Sequence, residues 1–184
     1  MFRFNMIKYG EKKLWGRDKG KRIREQITEY FYSTNFNAKN EDILLIDFSA
    51  IDMVDFTFAS ELVCVLIARL AGEMKGKHVA ICGMNPLVEE NVQVALEKAK
   101  QIALVLDNEE DWHLAGKYGE QIREAFETLV RQKSIDTPAL AERLGTNIHS
   151  INNRLKVLLS FGLLKRTEKI APSGGIQYIY HSII

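Results

Sequence analysis

Few of the 184 residues carry side chains whose type and spacing could make or break a bond. The four histidines, His78, His113, His149 and His181, stand apart, and none is paired with a second His, a Cys or a carboxylate at metal-ligand spacing. Cys64 and Cys82 are too few and too dispersed for a disulfide scaffold or a four-thiolate zinc site, so reduced, buried and inert thiols are expected. Gly72-Glu73-Met74-Lys75-Gly76-Lys77 has the look of a phosphate loop but neither its spacing nor its place before a helix. A loop with cations near a helix C-terminus is the plain alternative. No dinucleotide fingerprint follows a strand, no Gly-x-Ser-x-Gly elbow occurs, and Glu89-Glu90 suits a solvated helix face. The expectation is a protein that is not an enzyme and needs no metal or cofactor. What remains is hydrogen-bonding and charge: Asn147, His149, Ser150, Asn152, Asn153, Arg154 and Lys156 in one short segment, then Lys165, Arg166 and Lys169, and far upstream Thr57, two residues after Asp55. Their chemistry is recognition.

Elements must position these groups. Met1 to Tyr9 is strand-like, and Lys19 to Tyr32 has Ile23, Gln26, Ile27, Tyr30 and Phe31 on one helical face. Asn35 to Asn40 is loop-like. The continuous apolar run Ile43 to Phe48, interrupted only by Asp47, suits a strand buried on both faces. Phe56 to Glu73 is the most apolar stretch, and its length argues helix. Such a helix is either enclosed by other helices or partly given to a subunit contact. His78 to Cys82 is a second buried strand. Asn85 caps a helix that opens on Pro86 and runs to about Lys100. Ile102 to Leu106 is a last short strand, and the acidic stretch Asn108 to Asp111 marks the module's edge. Strand–helix alternation of this kind predicts an α/β sandwich on a mostly parallel sheet.

Leu45-Ile46-Asp47-Phe48-Ser49-Ala50-Ile51-Asp52-Met53-Val54-Asp55-Phe56-Thr57-Phe58-Ala59-Ser60-Glu61-Leu62 resembles the central motif of STAS domains, the modules of anti-sigma-factor antagonists and anion-transporter tails. Val79-Ala80-Ile81-Cys82-Gly83-Met84-Asn85-Pro86 is similar to the next strand and helix start of that family. The resemblance spans roughly residues 1–107. In the antagonist branch a Ser or Thr opening the second helix is phosphorylated, and the matching position is Thr57. A phosphate of about −1.5 to −2 charge beside Asp55 would disrupt a docking surface. The family's usual Asp-Ser-Ser-Gly is replaced here by Asp55-Phe56-Thr57-Phe58. The other assignment is that Asp55 or Thr57 simply caps the helix.

The C-terminal part opens on an amphipathic helix, Gly119 to Gln132, with Ile122, Ala125, Phe126, Leu129 and Val130 at helical spacing. Ser134 to Asp136 reads as a turn. Thr137 then caps a short helix, Ala139 to Leu144, whose first residue is Pro138 and which stops at Gly145. Asn147 or Thr146 caps a third helix running to about Ser160, with Ile148, Ile151, Leu155 and Leu158 inward. Leu163 to Ile170 and Ile176 to Ile183 read as strands joined by the tip Pro172-Ser173-Gly174-Gly175.

Leu140-Ala141-Glu142-Arg143-Leu144-Gly145, Ile151-Asn152-Asn153-Arg154-Leu155 and Phe161-Gly162-Leu163-Leu164 resemble winged helix-turn-helix domains of bacterial regulators, over about residues 118–184. That resemblance places the third helix in a DNA major groove. Asn147, His149, Ser150, Asn152, Asn153 and Lys156 then lie outward or at the flank, where Asn can read adenine. Arg154 contacts phosphate or stays in an intradomain pair. Lys165, Arg166 and Lys169 contact phosphate from the hairpin. The tip Ala171 to Gly175 carries no basic residue, and Gln177 stands where a cation would help, which leaves room for a winged helix that binds protein.

Charge supports a division. The net +1 hides 15 Lys+Arg against 18 Asp+Glu up to Ala115, and 10 against 6 after it. With 46% hydrophobic and 27% charged residues the profile is that of a folded globular chain. The longest apolar run, Leu62 to Ala68, is far below the roughly 20 residues of a membrane span. The start, Met1-Phe2-Arg3-Phe4-Asn5, lacks a signal peptide's apolar core, so a cytoplasmic location is expected. The expected fold is an α/β N-terminal STAS-like sandwich, residues 1–115, plus a C-terminal winged helix-turn-helix domain, residues 116–184. The expected function is a bacterial DNA-binding transcriptional regulator with an STAS-like module for sensing or protein docking. The expected partners are double-stranded DNA, a protein at the STAS-like domain, and a second copy of the chain through the helix from Phe56. The alternative is a partner-switching adaptor in which both domains bind proteins, controlled at Thr57.

Overall fold

The computed structural model describes residues 1–32, 42–74, 76–107, 111–170 and 174–184, the side chain of Phe31 excepted. The expected loop over Asn35 to Asn40, residues 108–110 of the acidic stretch and residues 171–173 of the hairpin tip lie outside them. The chain divides into two compact units, Met1–Lys117 and Tyr118–Ile184.

The first unit is built on a five-stranded sheet. Its strands are β1 (Phe2–Asn5), β3 (Ile43–Asp47), β5 (His78–Cys82), β6 (Ile102–Leu106) and β7 (Trp112–Gly116), adjacent in that order. β1, β3, β5 and β6 are parallel, so a mixed α/β fold on a mostly parallel sheet is what the alternating pattern builds. Every residue of β3 and β5 is buried, as uninterrupted apolar runs require. A separate two-residue parallel pair joins β2 (Lys13–Leu14) to β4 (Met53–Val54).

β7 pairs antiparallel with β6, with Leu104 opposite Leu114. The sequence boundary after Ala115 therefore cuts a strand: beyond the acidic stretch the chain returns once more to the sheet. His113 fastens this return, its ring nitrogens 2.8 Å from an Asp107 oxygen and 3.0 Å from a Glu89 oxygen. At the far end the Gly116 N–H donates to Gln93 Oε1 at 2.7 Å. Gly116 has φ +105°, and a Cβ there would lie 2.1 Å from the Gln101 carbonyl oxygen, so only glycine closes this strand.

Helix α1 (Arg17–Tyr32) starts two residues before the expected Lys19 and buries Ile23 and Ile27, while Tyr30 stacks on Phe2 at 4.2 Å between centroids. Helix α2 runs through residues 56–70 in three continuous pieces: Phe56–Ala59, a π-helical turn Ser60–Cys64, and Val65–Leu70. Asp55 caps it, accepting from the Phe58 N–H at 2.7 Å and also from the Gly16 N–H at 3.1 Å. A π turn frees carbonyls from the helical ladder. Two of them find partners elsewhere: Glu61 O accepts from Arg24 Nη1 at 3.0 Å, and Cys64 O from Gln101 Nε2 at 3.0 Å. Gly20 lets α1 approach this closely, since a Cβ there would sit 3.0 Å from Phe58 O. Helix α3 (Pro86–Ala99) is capped by Asn85, whose Oδ1 accepts from the Leu87 and Val88 N–H groups, each at 3.0 Å.

α2 packs against α1 and α3, and Phe58, Leu62, Val63, Leu66, Ile67 and Leu70 are all buried. Enclosure by helices is thus the outcome for this apolar segment. The ground for expecting a homodimer through it goes with that result.

Both thiols are free and buried, and burial pushes each up to about 11. Asp47, 3% exposed at the end of β3, is pushed up by burial, but the Ser49 hydroxyl and N–H, Arg3 and Cys82 outweigh this and hold it below the usual carboxylate value.

The second unit contains helices α4 (Glu120–Gln132), α5 (Thr137–Arg143) and α6 (Ile148–Ser160), and an antiparallel sheet of β8 (Ser134–Asp136), β10 (Ile176–Ser182) and β9 (Leu164–Ile170) in that order. Phe126, Leu129, Leu140, Ile151, Leu155, Leu158 and Leu164 are buried in this unit. Three local expectations are corrected. Ser134 to Asp136 is a short strand, because β10 supplies a pairing edge that no local signal announces. Asp136, not Thr137, caps α5, accepting from the Ala139 N–H at 2.8 Å. Ile148 is 51% exposed, because the first turn of α6 projects beyond the core that holds Ile151.

Among the described residues, no helix is long and apolar enough to cross a membrane, and no group of three or more His, Cys, Asp or Glu side chains is placed to hold a metal ion.

Candidate nucleic-acid interface

The candidate surface is positioned by α6. Asn147 begins it: its side-chain oxygen accepts from the Ser150 N–H at 2.8 Å, so this exposed residue is occupied as the cap. Thr146 is not the cap. The buried stripe Ile151, Leu155 and Leu158 fixes which way the helix turns, and the opposite side shows His149, Asn153 and Lys156 to solvent. Asn153 Nδ2 lies 3.3 Å from His149 Nε2, one turn earlier, which joins the two polar heads into one ridge.

The other predicted residues of the segment are less free. Ser150 and Asn152 are half-buried at the flanks. Asn152 Oδ1 lies 3.5 Å from the Thr137 hydroxyl at the start of α5, a long contact that steadies α6 against α5. Arg154 turns inward. Its Nη1 donates to the Gln121 carbonyl of α4 at 3.4 Å, and its Nε is buried without a partner. Of the two roles open to Arg154, the intradomain one is what the structure shows, with a backbone carbonyl rather than a carboxylate as partner.

The hairpin carries further cations, on both of its faces. Arg166 is exposed, with its guanidinium 4.3 Å over the Tyr178 ring. Lys169 is exposed and faces Gln177 in the register. Gln177 donates to Asp136 Oδ2 at 2.7 Å, so it ties the hairpin to β8 instead of reaching outward. Lys165 is half-buried and pairs in register with His181, on the face of the hairpin opposite the buried Leu164. The structure therefore brings His149, Asn153 and Lys156 together, leaves Arg166 and Lys169 as exposed cations on the hairpin, and sets Arg154 aside.

Between Glu142 and Glu168 the chain has no carboxylate side chain, so no acid interrupts this surface from within its own segment. Arg143, exposed in the last turn of α5, belongs to the same acid-free stretch. Its helix-ending position is an ordinary one for a cation, and the absence of acids from residues 143–167 is the sequence signal that marks it.

In the first unit Thr57 is exposed near the start of α2. Its hydroxyl donates to Asp55 Oδ2 at 2.9 Å, while Asp55 Oδ1 serves the helix and Gly16. Asp55 is the cap, and Thr57 braces it.

No protein-family model matches the chain, and no curated protein matches it. Among solved structures it is similar to a possible transcriptional regulator from Methanosarcina mazei Go1, at 19% identity and a TM-score of 0.35, over 45% of this chain and 75% of that one. At that TM-score the likeness bears on neither fold nor function.

Proposed function

We propose that the protein is a cytoplasmic, non-enzymatic DNA-binding regulator. Its second unit acts as a winged helix that seats α6 in a major groove, and its first unit as an STAS-like module that senses a signal or docks a protein. The observation that carries this reading is the exposed, acid-free ridge His149–Asn153–Lys156 on a helix whose other side is locked into a core. A helix N-terminal half of this kind fits base edges, while Lys156, Arg166 and Lys169 suit phosphates. The element order helix, strand, helix, helix and hairpin is also the winged-helix order.

The test is fluorescence anisotropy with genomic duplex fragments across a salt series. Binding is expected to weaken steeply with salt, and Asn153→Ala is expected to cost about tenfold on the preferred fragment and little on random duplex. Asn153 is the better probe than Asn152, whose loss would also disturb the α5–α6 contact. Absence of binding to any fragment at low salt would remove the DNA reading.

A second reading has its own support in the exposed Thr57 hydroxyl. In it the chain is a partner-switching adaptor, and a phosphate on Thr57 would set like charge against Asp55 and loosen both the cap and the link to Gly16. Thr57→Glu is expected to alter the set of proteins retained in a pull-down with the full chain. An unchanged set would exclude the switch.

A further inference from the structure

Asp136 closes β8 at the point where the chain turns into α5. Its two carboxylate oxygens serve different elements. Oδ1 accepts from the Ala139 N–H at 2.8 Å and caps α5. Oδ2 accepts from Gln177 Nε2 at 2.7 Å and so holds β10. The pairing of β8 with β10 ends at Asp136 opposite Ile179, whereas the pairing of β9 with β10 continues three residues further, to Ile170 opposite Ile176. This end of the hairpin therefore overhangs the strand that fastens it. Ile170 and Ile176 are 81% and 65% exposed, so no core holds it there either. Among the described residues, the Gln177–Asp136 bond is the only side-chain hydrogen bond or ion pair that joins the overhang to β8 or to a helix.

We propose that Asp136 is a positioning residue of the duplex-binding surface: through Gln177 it holds the overhanging end of the hairpin, and Lys169 with it, at a fixed angle to α5 and α6. The inference rests on the DNA reading above and adds to it how the two contacting elements are kept in register. Lys169 stands directly opposite Gln177, so the strut lies beside the cation that it serves. The other end of the strut is the start of α5. There the Thr137 hydroxyl lies 3.5 Å from Asn152 of α6, which carries the connection on to the helix of His149, Asn153 and Lys156.

The residue type suits the task. A carboxylate has lone pairs on both oxygens, so it caps a helix with one and receives an amide with the other. Serine or threonine also caps a helix but has a single oxygen. Hydrogen bonds to a charged acceptor are stronger than neutral ones. A two-stranded ribbon without further support is marginal in water, so an overhang held only at its base swings. Cations on a swinging ribbon lose that freedom when they meet phosphates, and a preset angle removes the loss.

The test has one arm without DNA. Backbone order parameters of the full chain are measured by nitrogen-15 relaxation for the parent, Gln177→Leu, Gln177→Glu and the pair Asp136→Asn with Gln177→Glu. Both single changes are expected to lower the values at Glu168 to Ile170 and Ile176 to Tyr178 from about 0.85 to about 0.6, and to leave α6 near about 0.85. The paired change is expected to restore the parent values, because asparagine still caps α5 and its amide donates to the carboxylate opposite. In duplex anisotropy, Gln177→Leu is expected to weaken binding about fivefold and to lower the salt slope by about 1. Lys169→Gln is expected to cost about threefold in the parent and nothing further in the Gln177→Leu background. A merely structural role would lower the midpoint of unfolding and leave the Lys169→Gln effect intact. Unchanged order parameters in both single variants, no recovery in the paired change, or a full Lys169→Gln effect in the Gln177→Leu background would each overturn the inference while the DNA reading stands. A parent chain that binds no duplex at low salt would overturn the DNA reading itself, and the inference with it.

Discussion

Asn153→Asp combined with Lys156→Glu is expected to lower duplex affinity about a hundredfold at moderate salt, the largest functional effect of any exposed change. Both residues are exposed, one turn apart along the α6 ridge, so the two carboxylates would stand where phosphates and base edges must approach. One substitution removes a donor–acceptor amide suited to adenine and puts charge in its place. The other inverts a phosphate contact. Neither touches the buried Ile151, Leu155 or Leu158, so thermal unfolding should shift by no more than the roughly 0.5 kcal/mol usual for surface changes. The measurement is anisotropy on the best fragment, at two salt concentrations, with an unfolding curve as control. Affinity within a factor of about three of the parent would mean that α6 is not the docking surface, whatever else binds. The same variant with a weaker salt slope but unchanged midpoint of unfolding would place the lost contacts on this ridge.

The largest stability effect is expected inside the first unit. Arg24 is 4% exposed and joins the side chain and the carbonyl of Glu61 in the π turn of α2. Arg24→Met leaves a mostly buried carboxylate without its main partner, and a freed carbonyl without a donor. Removing one member of such a pair costs about 3–5 kcal/mol. Arg17, whose Nε lies 3.9 Å from a Glu61 oxygen and is largely exposed, compensates little. The double change Arg24→Met with Glu61→Leu should recover more than half of the loss, because an apolar pair of similar volume avoids desolvating two charges. Recovery should stay incomplete, since the Glu61 carbonyl still lacks the guanidinium. Urea unfolding followed by the fluorescence of Trp15 and Trp112, which both lie in this unit, checks both values. A single-variant loss below about 1 kcal/mol would show that the pair is a surface contact in effect.

Most elements of both units are legible in the residues. The apolar runs at Ile43 and His78, the cap-and-proline start at Asn85-Pro86 and the stripe Ile151, Leu155, Leu158 each name their own conformation. The same local logic places Asn147 as a cap and turns His149, Asn153 and Lys156 outward. It fails where a distant partner decides. β7 and β8 are short, with mixed polarity, and become strands only because β6 and β10 offer edges. The fate of the segment from Phe56 could be stated only as alternatives, since the apolar face of a helix does not say whether its cover comes from the same chain or another.

The site divides along the same line. Residue types and helical spacing by themselves determine that α6 carries a polar ridge over an apolar underside, because both faces of a helix follow from positions a few residues apart. Only the tertiary structure decides that Arg154 leaves that ridge for the Gln121 carbonyl, that Asn152 is tied to Thr137, and that Asp136 and Gln177 meet at the start of α5. Those residues are separated by tens of positions, and proximity across such distances is set by how elements pack, which no local pattern contains.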